Sequence, residues 1–159
     1  EWNENRGLDW HLLDHAPHRG MQRLVGDLNR LYRDHPALHA RDNEPEGFRW
    51  IEPDDRDASV YAWLRLAPGA AAVVFVANFT PVPRPGYRIG LPAGGAWRCV
   101  LNTDAVEYDG SGLGVGATLD AVAEPSHGLA FSASVPLPPL ATVAFVHDPA
   151  GSFQGKDMH

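Results

Sequence analysis

Asn78-Phe79-Thr80-Pro81-Val82-Pro83-Arg84 stops an apolar run, Ala71 to Ala77, in a two-proline turn. Proline fixes its own backbone and lacks an amide donor, so such punctuation belongs to strands and tight corners, not to helices. Leu137-Pro138-Pro139-Leu140-Ala141-Thr142 interrupts and restarts the chain in a similar way. Between and around these corners the apolar residues keep a period of two. Val60, Ala62, Leu64 and Leu66 alternate with Tyr61, Trp63 and Arg65, while 71–77 is apolar on both faces, as a central strand requires. Tyr87 to Leu91, Trp97 to Leu101, the row Leu129, Phe131, Ala133, Val135, Leu137, and Leu140 to His147 complete the set, bounded by Gly and Pro. The pattern predicts a mainly β fold, an antiparallel sandwich.

Upstream of Phe48 the period changes. Met21, Leu24, Val25, Leu28, Leu31 and Tyr32 follow the i, i+3, i+4, i+7 spacing of one amphipathic helix, with Pro17 and Gly20 bracketing its start and Pro36 ending it. Alone it is too short to be stable, so its apolar face must rest on another body. The expected division is residues 1–40 (loop and helix), 47–148 (all-β domain) and a patternless tail, 149–159, expected to be disordered or added. Glu1 stands where a methionine would start a chain, and Trp2, Leu8 and Trp10 read as anchors of a segment taken from a larger packed body.

The 159 residues suffice for one well-buried core. Thirteen Lys and Arg against 20 Asp and Glu give a formal charge of -7, which argues against nucleic acid or anionic lipid and leaves a neutral polymer acceptable. No apolar run approaches the roughly 18 residues that span a bilayer. Cys99 is the only cysteine, so no internal disulfide forms; its neighbours Trp97, Val100 and Leu101 suit a buried thiol.

Few residues carry chemistry. His11, His15 and His18 have helical ligand spacing, but Pro17 interrupts the run and no standard fourth ligand is near, so no metal is expected. Ser126-His127-Gly128 reads as a turn rather than a nucleophile, because adjacent strand residues point to opposite faces. Asp54-Asp55-Arg56-Asp57 reads as a solvated turn, and no carboxylate pair suits a glycosidic dyad. The glycine-rich run 109–116 lacks the strand and helix of a dinucleotide site and reads as a flexible surface loop. Trp50, Trp63 and Trp97 are expected in the core or in domain packing. Trp2 and Trp10, beside Asn3 and Asp9, combine sugar-stacking rings with hydrogen-bonding groups.

Taken together, these stretches resemble bacterial glycogen branching enzymes of the α-amylase superfamily. The resemblance rests on Glu1-Trp2-Asn3, Leu8-Asp9-Trp10-His11-Leu12-Leu13, the helix Gln22 to Tyr32, Ala37-Leu38-His39, Gly47-Phe48-Arg49-Trp50, both proline corners, Tyr87-Arg88, Leu101-Asn102-Thr103-Asp104 and Ser126-His127-Gly128. It implies an enzyme that cleaves an α-1,4-glucan and reattaches the piece as an α-1,6 branch, by a retaining double displacement on a (β/α)8 barrel. An Asp nucleophile, a Glu acid/base and a second Asp would all lie upstream of Glu1. This chain would supply the last barrel loop and helix and the β-sandwich, with no catalytic residue and no cofactor of its own. Substrate-binding residues carried over are Trp2, Asn3 and Trp10, in a loop on the active-site side. Asp14 to Arg19 is shorter than the family's loop. The implied partners are α-glucan (glycogen, amylose) and the chain's own barrel, in the cytoplasm. The alternative is a free-standing carbohydrate-binding or structural sandwich.

Overall fold

The computed structural model describes residues 3–149. After a short 3-10 turn, Trp10–Asp14, helix α1 runs Ala16–Asp34. It starts earlier than its apolar spacing suggests. Pro17 lies in the first turn, where its missing N–H costs nothing, and Gly20 is inside the helix rather than before it. Gly20 is there for space: a Cβ would sit 2.6 Å from the carbonyl carbon and oxygen of Tyr108. His35 adopts an extended conformation ahead of Pro36 and ends the helix.

Among the described residues eight strands follow: β1 (Phe48–Asp55), β2 (Val60–Arg65), β3 (Val73–Asn78), β4 (Arg84–Leu91), β5 (Gly95–Asn102), β6 (Thr118–Ala121), β7 (Phe131–Leu137) and β8 (Ala141–Asp148). Six form one sheet in the order β1-β2-β3-β8-β5-β6, and β4 pairs with β7 in a second; every pairing is antiparallel. The sandwich is therefore as the period-two pattern predicts. β3 lies between β2 and β8, and its Val73, Val74 and Val76 are all fully buried, as its double-sided apolar run requires. Pro85 and Pro136 are tolerated within β4 and β7 because both are edge strands of a two-stranded sheet, the outer edge of β7 being bridged to Val122 at Ser132, away from Pro136.

Two apolar clusters hold the chain together. The larger lies between the sheets and contains Val60, Leu64, Val76, Leu91, Trp97, Val135 and Phe145. The smaller joins Leu31, Ala37 and Leu38 to Val73, Leu101, Ala144 and Val146, and so seats α1 on the outer face of the large sheet. The segment between helix and sandwich is pinned by Arg65. Its guanidinium donates to the carbonyls of Leu38 (3.1 Å) and Gly47 (3.2 Å) and pairs with Asp42.

Two local expectations change. The glycine-rich loop is anchored, since Asp104 accepts from the Ser111 and Leu113 amides and Val115 is buried in the core. β6, which follows that loop, has too short an alternation to stand out in the sequence. Asp55 is half-buried and engaged rather than part of a freely solvated turn; it ends β1 and accepts a 2.7 Å bond from the Tyr87 hydroxyl on β4.

Candidate functional surfaces

The leading segment carries the residues expected to meet substrate. Trp2 lies outside the described residues. Asn3 is exposed, and its side-chain oxygen accepts the Asn5 amide at 3.0 Å, so its carbonyl end is engaged in a local turn. Trp10 opens the 3-10 turn and is 66% exposed. It lines an open groove of about 490 Å³ with Leu8, Leu12, Leu13, His18 and Met21; Asn3 lies outside that groove. The helix break at His15 separates His11 from His18, and among the described residues no three His, Cys, Asp or Glu are grouped to hold a metal.

Along α1, Leu31 of the apolar stripe is buried against the sandwich and Leu24 is half-buried on the same cluster. Met21, Val25, Leu28 and Tyr32 remain exposed. The amphipathic pattern thus marks a face that the described residues leave largely uncovered. The helix is attached by Leu31 and Leu24, by Gly20 against Tyr108, and by a 2.9 Å bond from the Tyr108 hydroxyl to Asp27. Burial, followed by the Asp27 carboxylate, pushes that phenol up to about 12.

The three strand tryptophans separate by face. Trp97 points between the sheets and is fully buried, its indole N–H donating to Ala93 O at 3.1 Å. Trp63 is half-buried on the outer face, stacked on Phe75 with ring planes 8° apart. Trp50 is 49% exposed, so it is not a core residue. It contacts Phe48, Tyr61 and Trp63, and Tyr61 in turn meets Phe79 edge-on. A band of aromatic rings therefore crosses β1, β2 and β3 on the face that also carries α1. The signal was present in Phe48-Arg49-Trp50, whose alternation places both rings together. It was masked because Ile51 makes the opposite face of the strand apolar as well.

Ser126 and His127 do meet, contrary to the opposite-faces argument. They occupy a turn with His127 at φ +51°, which brings the Ser126 hydroxyl to 2.9 Å from His127 Nδ1. Gly90 N–H also donates to Nδ1 at 3.2 Å, so that nitrogen is the acceptor, and the Nε2 side faces Glu52 at 3.4 Å. The cluster ties the turn to β1 and β4. Cys99 is partly buried, and burial raises its thiol, so it is a poor nucleophile.

The described residues form an antiparallel β-sandwich with one helix seated on the outer face of its larger sheet, the architecture of an all-β domain. The family model of the alpha amylase C-terminal all-beta domain matches residues 50–148, and the chain belongs to that family. It is 55% identical, over 98% of its length, to the 1,4-alpha-glucan branching enzyme GlgB of Cupriavidus necator. It is 56% identical over 90% of its length to the enzymes of that name from Mesorhizobium japonicum and Ralstonia nicotianae. The matches fall in a C-terminal portion of these relatives, and the chain spans only 19–21% of their length.

Proposed function

We propose that this chain is the C-terminal portion of a 1,4-α-glucan branching enzyme, which cleaves α-1,4-glucan and forms α-1,6 branches in glycogen synthesis. The observation that carries the reading is 55% identity over 98% of the chain to a protein of which the chain covers 21%. Residues 1–40 are the terminal loop and last helix of a (β/α)8 barrel, and 47–148 are its all-β companion. The retaining chemistry belongs to the upstream barrel, in the cytoplasm. This segment packs on that barrel, completes it, and has no transfer activity alone. The uncovered stripe Met21, Val25, Leu28 and Tyr32 supports this division, because an exposed amphipathic face is what removal of a packing partner leaves. Trp2, Asn3 and Trp10 contribute to the acceptor side of the site.

The test is a chimera in which the matched portion of the Cupriavidus necator enzyme is replaced by this chain. Branching of amylose, followed by loss of iodine colour, should be retained in the chimera and absent from the 159-residue chain. An inactive but folded chimera would overturn the reading. Trp10→Ala in an active chimera should raise KM for amylose with kcat little changed; an unchanged KM removes Trp10 from the acceptor site.

A second reading gives the sandwich its own glucan contact. Trp50, half-exposed on the edge strand β1 beside Tyr61, favours it, since an indole face stacks on a sugar ring. Maltooligosaccharides should then quench the tryptophan fluorescence of the isolated chain, and Trp50→Ala should abolish the quenching.

A further inference from the structure

The two proline corners form one structure. Asn78, at the end of β3 and almost fully buried, donates from Nδ2 to the carbonyls of Val82 and Pro138, each at 2.9 Å. Its Oδ1 accepts the Thr80 amide (3.0 Å) and the Thr80 hydroxyl (2.8 Å), and Leu140 N–H closes the joint on Thr80 O at 2.9 Å. This rigid joint carries three large apolar side chains outward: Phe79 (63% exposed), Val82 (54%) and Leu140 (69%). Leu140 also stands at φ +48°, in the left-handed region that favours glycine. The strained backbone at Leu140 disfavours the isolated fold, and its exposed side chain contributes almost no burial in return. Strain of this kind persists where the surroundings impose it, and it collects at sites that bind.

The chemistry of the corner selects its occupant. Pro81, Pro83, Pro138 and Pro139 have no N–H to offer. The amides of Phe79, Thr80 and Leu140 are already bonded, to Ser59 O, Asn78 Oδ1 and Thr80 O. A sugar needs directed donors and acceptors; an apolar protein surface needs none. We propose that the Phe79–Val82–Leu140 corner docks onto a protein surface within the same polypeptide, in the part upstream of this chain, as a contact additional to the stripe of α1. The inference rests on the parent-enzyme reading: the relatives extend far beyond the 19–21% of their length that this chain covers. A tethered partner of that size is present at high effective concentration, so a small apolar knob is enough to engage it.

Leu140→Gly and Phe79→Ser, each made in the 159-residue chain and in the chimera with the Cupriavidus necator enzyme, test the proposal. In the isolated chain Leu140→Gly relieves the backbone and leaves Tm unchanged or raised. In the chimera both variants lower Tm by about 3 °C or more and increase amide exchange across residues 137–142. Equal shifts in both contexts, or no shift in the chimera, overturn the docking. Self-association of the isolated chain that Leu140→Gly abolishes overturns it in favour of a second copy. Loss of maltooligosaccharide binding in Phe79→Ser overturns it in favour of sugar. Branching by the unsubstituted chimera reports separately on the parent-enzyme reading, because exchange at the corner can be measured whether or not that chimera is active.

Discussion

At the scale of single residues, the polar groups that matter are joints between elements. Tyr87 on β4 donates to Asp55 on β1 at 2.7 Å, tying the small sheet to the edge of the large one. The Tyr87 hydroxyl bond, then the Ala58 amide, hold the Asp55 carboxyl below its usual value, while burial, with that same carboxylate, pushes the Tyr87 phenol well above its own. A depressed carboxyl stabilises the fold above the unfolded value of about 4, and the contribution is lost as pH falls through the folded value. Tyr87→Phe should therefore cost about 1 kcal/mol at neutral pH in urea unfolding, with the difference from wild type shrinking below about pH 4. A difference that stays constant down to pH 2.5 would rule out Asp55 as the partner. Asn78 is a larger case, since its amide serves both corners from within the core. Asn78→Asp would set a carboxylate against the Val82 and Pro138 carbonyls, and should cost about 3 kcal/mol or more, read as a lower urea midpoint at unchanged m. Neither joint was legible beforehand. Asp55 stands in a charged run that looks solvated, and its partner lies 32 positions away.

At the scale of elements, α1 offers a paired experiment. Gly20 and Gly26 are both helical glycines, and replacement by alanine gains up to about 1 kcal/mol from propensity alone. At Gly26 a Cβ meets nothing within 4 Å, whereas at Gly20 it meets Tyr108 backbone at 2.6 Å. Gly26→Ala should raise Tm and Gly20→Ala should lower it, as thermal unfolding of the two variants would report. Matching signs would mean that α1 is not seated on Tyr108. The sequence made most elements visible through their periods: 3.6 in α1, two in β2 and β7, and a continuous run in β3. It could not reveal β6, which has four residues, or the start of α1, whose first turn carries no apolar stripe. Faces were harder than elements. The stripe of α1 was correctly read as apolar, but periodicity names no partner, and most of that stripe lies uncovered. Trp50 and Trp97 both sit in alternating strands, and only the packed sheets separate the exposed ring from the buried one.

At the scale of the whole molecule, the inner core belongs to the sandwich alone, while the helix face, the aromatic band and the proline corner look outward. Charge placed on the outward face should act differently in the two contexts. Val25→Glu should leave the urea midpoint of the isolated chain nearly unchanged and should destabilise the chimera by about 2 kcal/mol or more, because it buries a charge at the proposed contact. Equal effects would count against the helix as a packing element. The sheet order has a further consequence for assembly in time. β3 pairs with β8 along its whole length, Val73 with Val146 through to Asn78 with Ala141, and β8 also borders β5. The last described strand in chain order is thus a central one, and without it β1-β2-β3 and β5-β6 are separate fragments. On a ribosome the sandwich must remain open until residue 148 has cleared the exit tunnel. The described sandwich therefore closes late and in one step. A nascent chain arrested before β8 should be fully protease-sensitive from residue 48 onward, and one extended by a tunnel-length linker should be protected as a unit.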